Sequence, residues 1–139
     1  MADFPLIDGD LVQFMPNFAA AFVVVNPGKI TGTGKSVAGR KICVDGDEAS
    51  VEVNGCMYFT PQFSIPGTGK LKIAMLATDQ LSITTTDSGK KIILKGNYFI
   101  AKFQVQNPAK DPATALPDPA PSYPGTGMFM PTNLKVTVK

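Results

Sequence analysis

Along this chain, short runs rich in Val, Ile, Thr, Tyr and Phe alternate with pairs of turn-forming residues. Asp45-Gly46, Asn54-Gly55, Ser88-Gly89 and Gly96-Asn97 each separate two such runs, which is the pattern of two-residue hairpin turns. The spacing predicts strands over 41–44 (KICV), 50–53 (SVEV), 56–59 (CMYF), 81–86 (LSITTT), 90–95 (KKIILK) and 98–106 (YFIAKFQVQ). Residues 70–80 (KLKIAMLATDQ) read two ways: a short helix lined by Leu71, Ala74, Met75 and Leu76, or a buried strand. The segment 107–125 holds six prolines. It is expected to run over the surface as an extended, rigid loop, because proline does not pair inside a sheet. The chain reads as nearly all β.

Composition narrows this further. A length of 139 residues fits one domain spanning 1–139, long enough to bury a core without staples. Charged residues make up only 17%, with 13 Gly and 12 Pro, and that balance belongs to a turn-rich β protein with part of its surface covered in an assembly. The net charge of +2, with no run of Lys or Arg beyond two neighbours, argues against nucleic acid as a partner. The N-terminal MADFPLIDGD is acidic where a secretory leader is basic, and the apolar run 18–25 is too short to span a bilayer. Synthesis in the cytoplasm is therefore expected. Cys43 and Cys56 could meet across a β-meander as a disulfide, but in that compartment buried free thiols are the commoner outcome.

An internal repeat is the most specific feature. Gly-Thr-Gly recurs at 32–34, 67–69 and 125–127, and it predicts three related turns built on Gly32, Gly34, Gly67, Gly69, Gly125 and Gly127. A second correspondence aligns AGRKICVDGD (38–47) with SGKKIILKGN (88–97). Three related hairpin units in one chain suit a molecule seated on the axis of a trimer, where each unit presents similar contacts to each subunit.

Candidate chemistry is sparse. VVVNPGKITGTGKS (23–36) approaches the phosphate-binding pattern G-x-x-x-x-G-K-[ST], but the first glycine of that pattern falls on Lys29, one residue after Gly28. No helix can open after Ser36, where Gly39, Asp45-Gly46 and Asn54-Gly55 interrupt β-branched runs, so the helix N-terminus that holds a phosphate is missing. The acidic run from Asp45 to Glu52 fails as a calcium loop because its fifth position is Ala49. There is no histidine, no G-x-S-x-G elbow and no carboxylate pair at catalytic spacing, and the expectation is a protein that is not an enzyme. Phe14 and Phe18, ahead of the first repeat, are the aromatic residues expected to face a docking partner.

Ile30-Thr31-Gly32, Val37, Ala38-Gly39-Arg40-Lys41 and Val44-Asp45-Gly46-Asp47 together resemble the repeat unit of PAAR-like spike-tip proteins, ITG(S/T)-x-x-V-x-x-NGKPAARVGD, with a degenerate copy from Ser88 to Asn97. The resemblance implies a small cone or prism of β-hairpins with approximate internal threefold form. It further implies a structural tip on a trimeric β-helical spike, one copy per trimer with no homo-oligomer. That spike would belong to a contractile injection machine such as a type VI secretion system, a phage-tail-like particle or a phage baseplate. The tip would touch a target membrane transiently and leave the cell with the particle. Many members of that family hold an apical metal through His, with or without Cys. Here the Pro-Ala-Ala-Arg sequence is absent and there is no His, and two cysteines alone do not supply the four ligands of structural zinc. Neither metal nor other cofactor is expected. The competing reading is a stand-alone β-barrel or sandwich that binds a small ligand or sugar.

Overall fold

The computed structural model describes residues 4–131 apart from Ala38 and Ser88. Within them twelve strands follow in chain order: β1 (Leu11–Phe14), β2 (Asn17–Phe18), β3 (Ala21–Val23), β4 (Gly28–Lys29), β5 (Ser36–Val37), β6 (Arg40–Lys41), β7 (Glu52–Phe59), β8 (Gly67–Met75), β9 (Leu81–Asp87), β10 (Lys90–Ile93), β11 (Phe99–Asn107) and β12 (Ser122–Met130). Eight of them form one antiparallel sheet in the order β2-β3-β7-β8-β11-β12-β1-β4, curled into a half-barrel, while β5–β6 and β9–β10 are separate hairpins. The chain is all β, as its pattern predicts.

Alternation drives the curl. In β1, over Gly67 to Ile73 of β8 and over Phe99 to Phe103 of β11 every second residue is buried, and these inward rows close on one aromatic core, as a half-buried strand requires. Phe99 is its hub, with ring centroids 5.6 Å from Phe14 and 5.0 Å from Phe129. Tyr58 and Phe103 stand 5.0 Å apart farther along. Phe14 and Phe18, expected to face a partner, are instead 1% and 0% exposed. Their inward phase in β1 and β2 outweighs their position ahead of the first repeat.

The ambiguous stretch 70–80 resolves as the end of β8 followed by a 3-10 turn at Thr78–Gln80. Asn54-Gly55, expected as a hairpin turn, lies inside β7 at a register shift between Val53 and Cys56. It is a bulge, with Gly55 at φ 71°. Gly46 and Gly89 do occupy turns with positive φ; Ser88 of the second pair lies outside the described residues.

The proline-rich stretch stays outside the strands over 108–121, but it is not extended there, since it folds back on itself through a bridge between Lys110 and Pro117, and at 122–125 it enters the sheet as the start of β12. Pro124 stands opposite Lys102 of β11. The bond from Val105 N–H to the Pro121 carbonyl sets the alternation, so position 124 falls among the pairs that exchange no hydrogen bonds with β11. On its other side β1 reaches only Gly127 to Met130, and the missing N–H therefore costs no ladder bond.

The remaining loop is pinned at both ends. Ala109 is buried, its N–H donates to the Tyr58 hydroxyl, and the hydroxyls of Tyr58 and Tyr123 both donate to Oδ2 of buried Asp118. Burial, with the Asp118 carboxylate adding to it, pushes the Tyr58 hydroxyl up to about 12, against the lowering influence of the Ala109 N–H. The same two causes raise Tyr123 farther. In the unfolded chain both titrate near their ordinary value of ~10. Between ~10 and 12 the unfolded chain gives up protons that the fold retains, so stability is intact below that window and falls as pH rises through it. Denaturant midpoints measured from pH 9 to 12 should drop above pH 10. They should drop less steeply in the Tyr58→Phe/Tyr123→Phe variant.

Candidate functional site

Beyond the mouth of the half-barrel, three short segments, 4–8, 41–45 and 91–95, lie head to tail in a closed ring. Leu6 N–H donates to the Ile93 carbonyl at 2.9 Å, Ile93 N–H to Cys43 at 3.0 Å, and Cys43 N–H back to Leu6 at 2.9 Å. A second cycle repeats the relation two residues out. Asp8 N–H donates to Lys41, Asp45 N–H to Lys91, and Lys95 N–H to Phe4, at 2.7–2.9 Å. The three corners are isolated bridges, Ile7 with Ile42, Val44 with Ile92, and Leu94 with Pro5. Each segment thus donates and accepts alike, and Leu6, Cys43 and Ile93 are equivalent positions. All three are fully buried in the barrel core, whereas Ile42, Val44, Ile92 and Leu94 form a second small cluster.

The ring reveals the repeat that the chain carries. Aligned on it, Leu6-Ile7-Asp8-Gly9-Asp10, Cys43-Val44-Asp45-Gly46-Asp47 and Ile93-Leu94-Lys95-Gly96-Asn97 are three copies of one unit. The correspondence of 38–47 with 88–97 is two of these copies in the correct register. The copy at 6–10 is the one sequence reasoning missed, and its signal is the Asp-Gly-Asp shared with 45–47. The first two copies fold identically. Asp10 Oδ2 accepts the Ile7 N–H at 2.8 Å and Asp47 Oδ2 the Val44 N–H at 2.9 Å, while the N–H of each aspartate returns to the first carbonyl of its turn. In the third, Leu94 N–H donates to the Gln80 carbonyl, and Asn97 turns to the Asp79 carboxylate. The central glycines carry positive φ in all three copies, 86°, 105° and 50°, a region an L side chain enters with strain.

The Gly-Thr-Gly triplets play a different part from the one expected. Gly67 and Gly69 lie in β8, and Gly125 and Gly127 in β12, so these two triplets are strands. None of the six glycines has positive φ. What they share is close approach: a Cβ at Gly69 would meet the Phe103 ring, at Gly125 the Phe18 ring, at Gly127 the Phe99 ring, at Gly32 the Lys41 carbonyl, at Gly34 the Asp87 carboxylate and the Ile42 side chain, and at Gly67 the backbone of Asn107 to Ala109.

Gly32 to Lys35, the loop that imitates a phosphate cradle, has its amides taken. Gly32 N–H donates to Asp8 Oδ1 at 3.0 Å, Thr33 N–H to Asp47 Oδ2 at 3.0 Å, Gly34 N–H to the Ile42 carbonyl at 2.9 Å, and Lys35 N–H to Asp87 Oδ2 at 2.6 Å. A phosphate would have to displace three carboxylates and face their charge. The loop is a strap that ties the ring to the hairpins. Both cysteines are free and buried. Burial first, then the carboxylates of Asp47, Asp10 and Asp8, push the Cys43 thiol far above its ordinary value against the opposing Arg40, and burial likewise raises Cys56. Since the thiolate is the reactive form, neither is suited to nucleophilic chemistry.

Compared with known families, residues 1–139 match the model of the contractile injection system spike tip protein. The chain belongs to that family. A comparison with curated proteins finds no match. A spike tip is a structural part, associated with a spike within an injection system and carried in a particle that acts outside the cell. In this spike tip the polar groups around the ring are spent on holding backbone, which agrees with a structural role.

Proposed function

We propose that one copy of this chain caps a trimeric β-helical spike and helps it pass a target envelope. The observation that carries the reading is the closed hydrogen-bond cycle through Leu6, Ile93 and Cys43. A trimer ends in three equivalent strands or loops. A single chain can meet them equally only if it holds three equivalent pieces around one axis, and segments 4–8, 41–45 and 91–95 are such pieces. Capping also covers strand ends that would otherwise pair at random. On this reading the chain is made in the cytoplasm, joins the particle there, touches the target membrane only in passage, and performs no chemistry.

Native mass spectrometry of the chain mixed with the spike protein of the same machine tests this. The expected species contains one chain and three spike subunits. A complex with three copies per trimer, or no complex at all, would remove the reading.

A further inference from the structure

The molecule has two unlike ends. β1 and β11 begin, and β8 and β12 finish, beside the ring, at Leu11, Phe99, Met75 and Met130. At the opposite end the chain turns back through 19–20, 60–66 and 108–121, connections of very different length with no rotational relation. Among the described residues, the ring end alone carries a threefold arrangement of backbone to offer a threefold partner. Three turns stand around the axis: Gly9 and Asp45-Gly46 are exposed at the tips of the first two, whose last residues, Asp10 and Asp47, are buried and hold the backbone beneath them, whereas in the third turn the exposed residue is the last, Asn97. Exposed apolar side chains lie at the same level, Leu11 paired in register with Met130, and Ile100 with Met75. The far end is finished differently. Its proline-rich loop exposes residues 112–117 but is fastened by the buried Tyr58–Asp118 bond and the part-buried Tyr123–Asp118 bond, which gives a stiff, self-contained surface.

Resting on the capping role proposed above, we infer that the ring end is the face that meets the blunt end of the spike trimer, and that the proline-rich end points away from it, toward the target. The polarity follows from symmetry: a threefold partner that sat on the other end would meet three dissimilar loops and gain at most one good contact in three. It also makes the exposed turn at 112–116 the place where an attached group rides ahead of the spike without touching it.

Single-site labelling distinguishes the two ends. Cys43 and Cys56 are buried and their thiols are held protonated, so a maleimide under native conditions addresses only an introduced cysteine. Asp45→Cys and Lys91→Cys place it at the ring end and Ala113→Cys at the proline-rich end, all at exposed positions. Each variant is mixed with the spike trimer before and after coupling to a polyethylene glycol maleimide. Polymer on the Asp45→Cys or Lys91→Cys variant should weaken binding by roughly a hundredfold, whereas polymer on the Ala113→Cys variant should leave it unchanged. Loss of binding with polymer on Ala113→Cys, or unimpaired binding with polymer on both ring-end variants, overturns the polarity. If the unlabelled wild-type chain does not bind the trimer, it is the capping role that falls, and the polarity falls with it.

Discussion

Replacing Asp47 by alanine should lower the stability of this spike tip by about 3 kcal/mol or more, because one carboxylate holds three donors at once. Its Oδ2 accepts the Val44 N–H at 2.9 Å and the Thr33 N–H at 3.0 Å, and its Oδ1 accepts the Thr33 hydroxyl at 2.8 Å. The first of these is buried. A charged acceptor contributes about 1.5–3 kcal/mol per bond, and each buried donor left without a partner costs about 1–3 kcal/mol. Against a total stability of ~5–15 kcal/mol, such a loss should move the melting midpoint by about 10 °C. The neighbouring Asp45→Ala supplies the contrast, since that side chain is exposed two residues away in the same turn. Thermal unfolding followed by circular dichroism decides the matter. Two midpoints within a couple of degrees of each other would mean that the strap 32–35 is held by something other than Asp47. Hydrogen exchange adds a local readout, with the amides of Thr33 and Val44 becoming fast in Asp47→Ala.

Gly127→Ala should be comparably damaging for the opposite reason, too much matter where there was too little. A Cβ there would stand 2.6 Å from Cε1 of Phe99 and 2.8 Å from the Gln13 carbonyl oxygen. Phe99 cannot step aside, because it is fully buried and packed against both Phe14 and Phe129. The Gln13 oxygen belongs to β1, the strand in register with β12. Overpacking of a tight core costs about 1–3 kcal/mol and occasionally more, and the upper end is expected where ring and backbone are struck together. Combining Gly127→Ala with Phe99→Leu tests the cause. Denaturant unfolding of both singles and the double should show the two losses to be markedly less than additive, the sign of a shared clash. Strict additivity would mean that Gly127 matters for strand conformation and not for the ring above it.

Much of the architecture was legible in the sequence, and the failures are instructive. The β-branched runs at 81–86, 90–95 and 98–106 became β9, β10 and β11 nearly residue for residue, because alternation and turn residues agree there. Asn54-Gly55 has the composition of a hairpin turn, but β8 pairs with both sides of it, through Val53 with Leu71 and Cys56 with Gly69. Pairing across the dipeptide turns a local turn signal into a bulge. The proline at 124 was read by its general incompatibility with sheets, whereas the outcome depended on which edge its nitrogen faces. Phe14 and Phe18 were misplaced because aromatic character is shared by cores and docking surfaces, and only the phase of the strand distinguishes them.

What the sequence determined by itself is the all-β character, the absence of a phosphate-binding frame, and two of the three ring copies in their true register, since each depends on residues close together in the chain. What the tertiary structure decided is which repeat matters. Gly-Thr-Gly is conspicuous and turned out to mark places where an aromatic ring or a carbonyl presses on the backbone; Leu6 to Asp10, inconspicuous near the N-terminus, is the piece that closes the ring. The physical reason is that a hydrogen-bond cycle joins Leu6, Cys43 and Ile93 across long sequence separations, and no local pattern states which carbonyl an amide will find once the chain has curled.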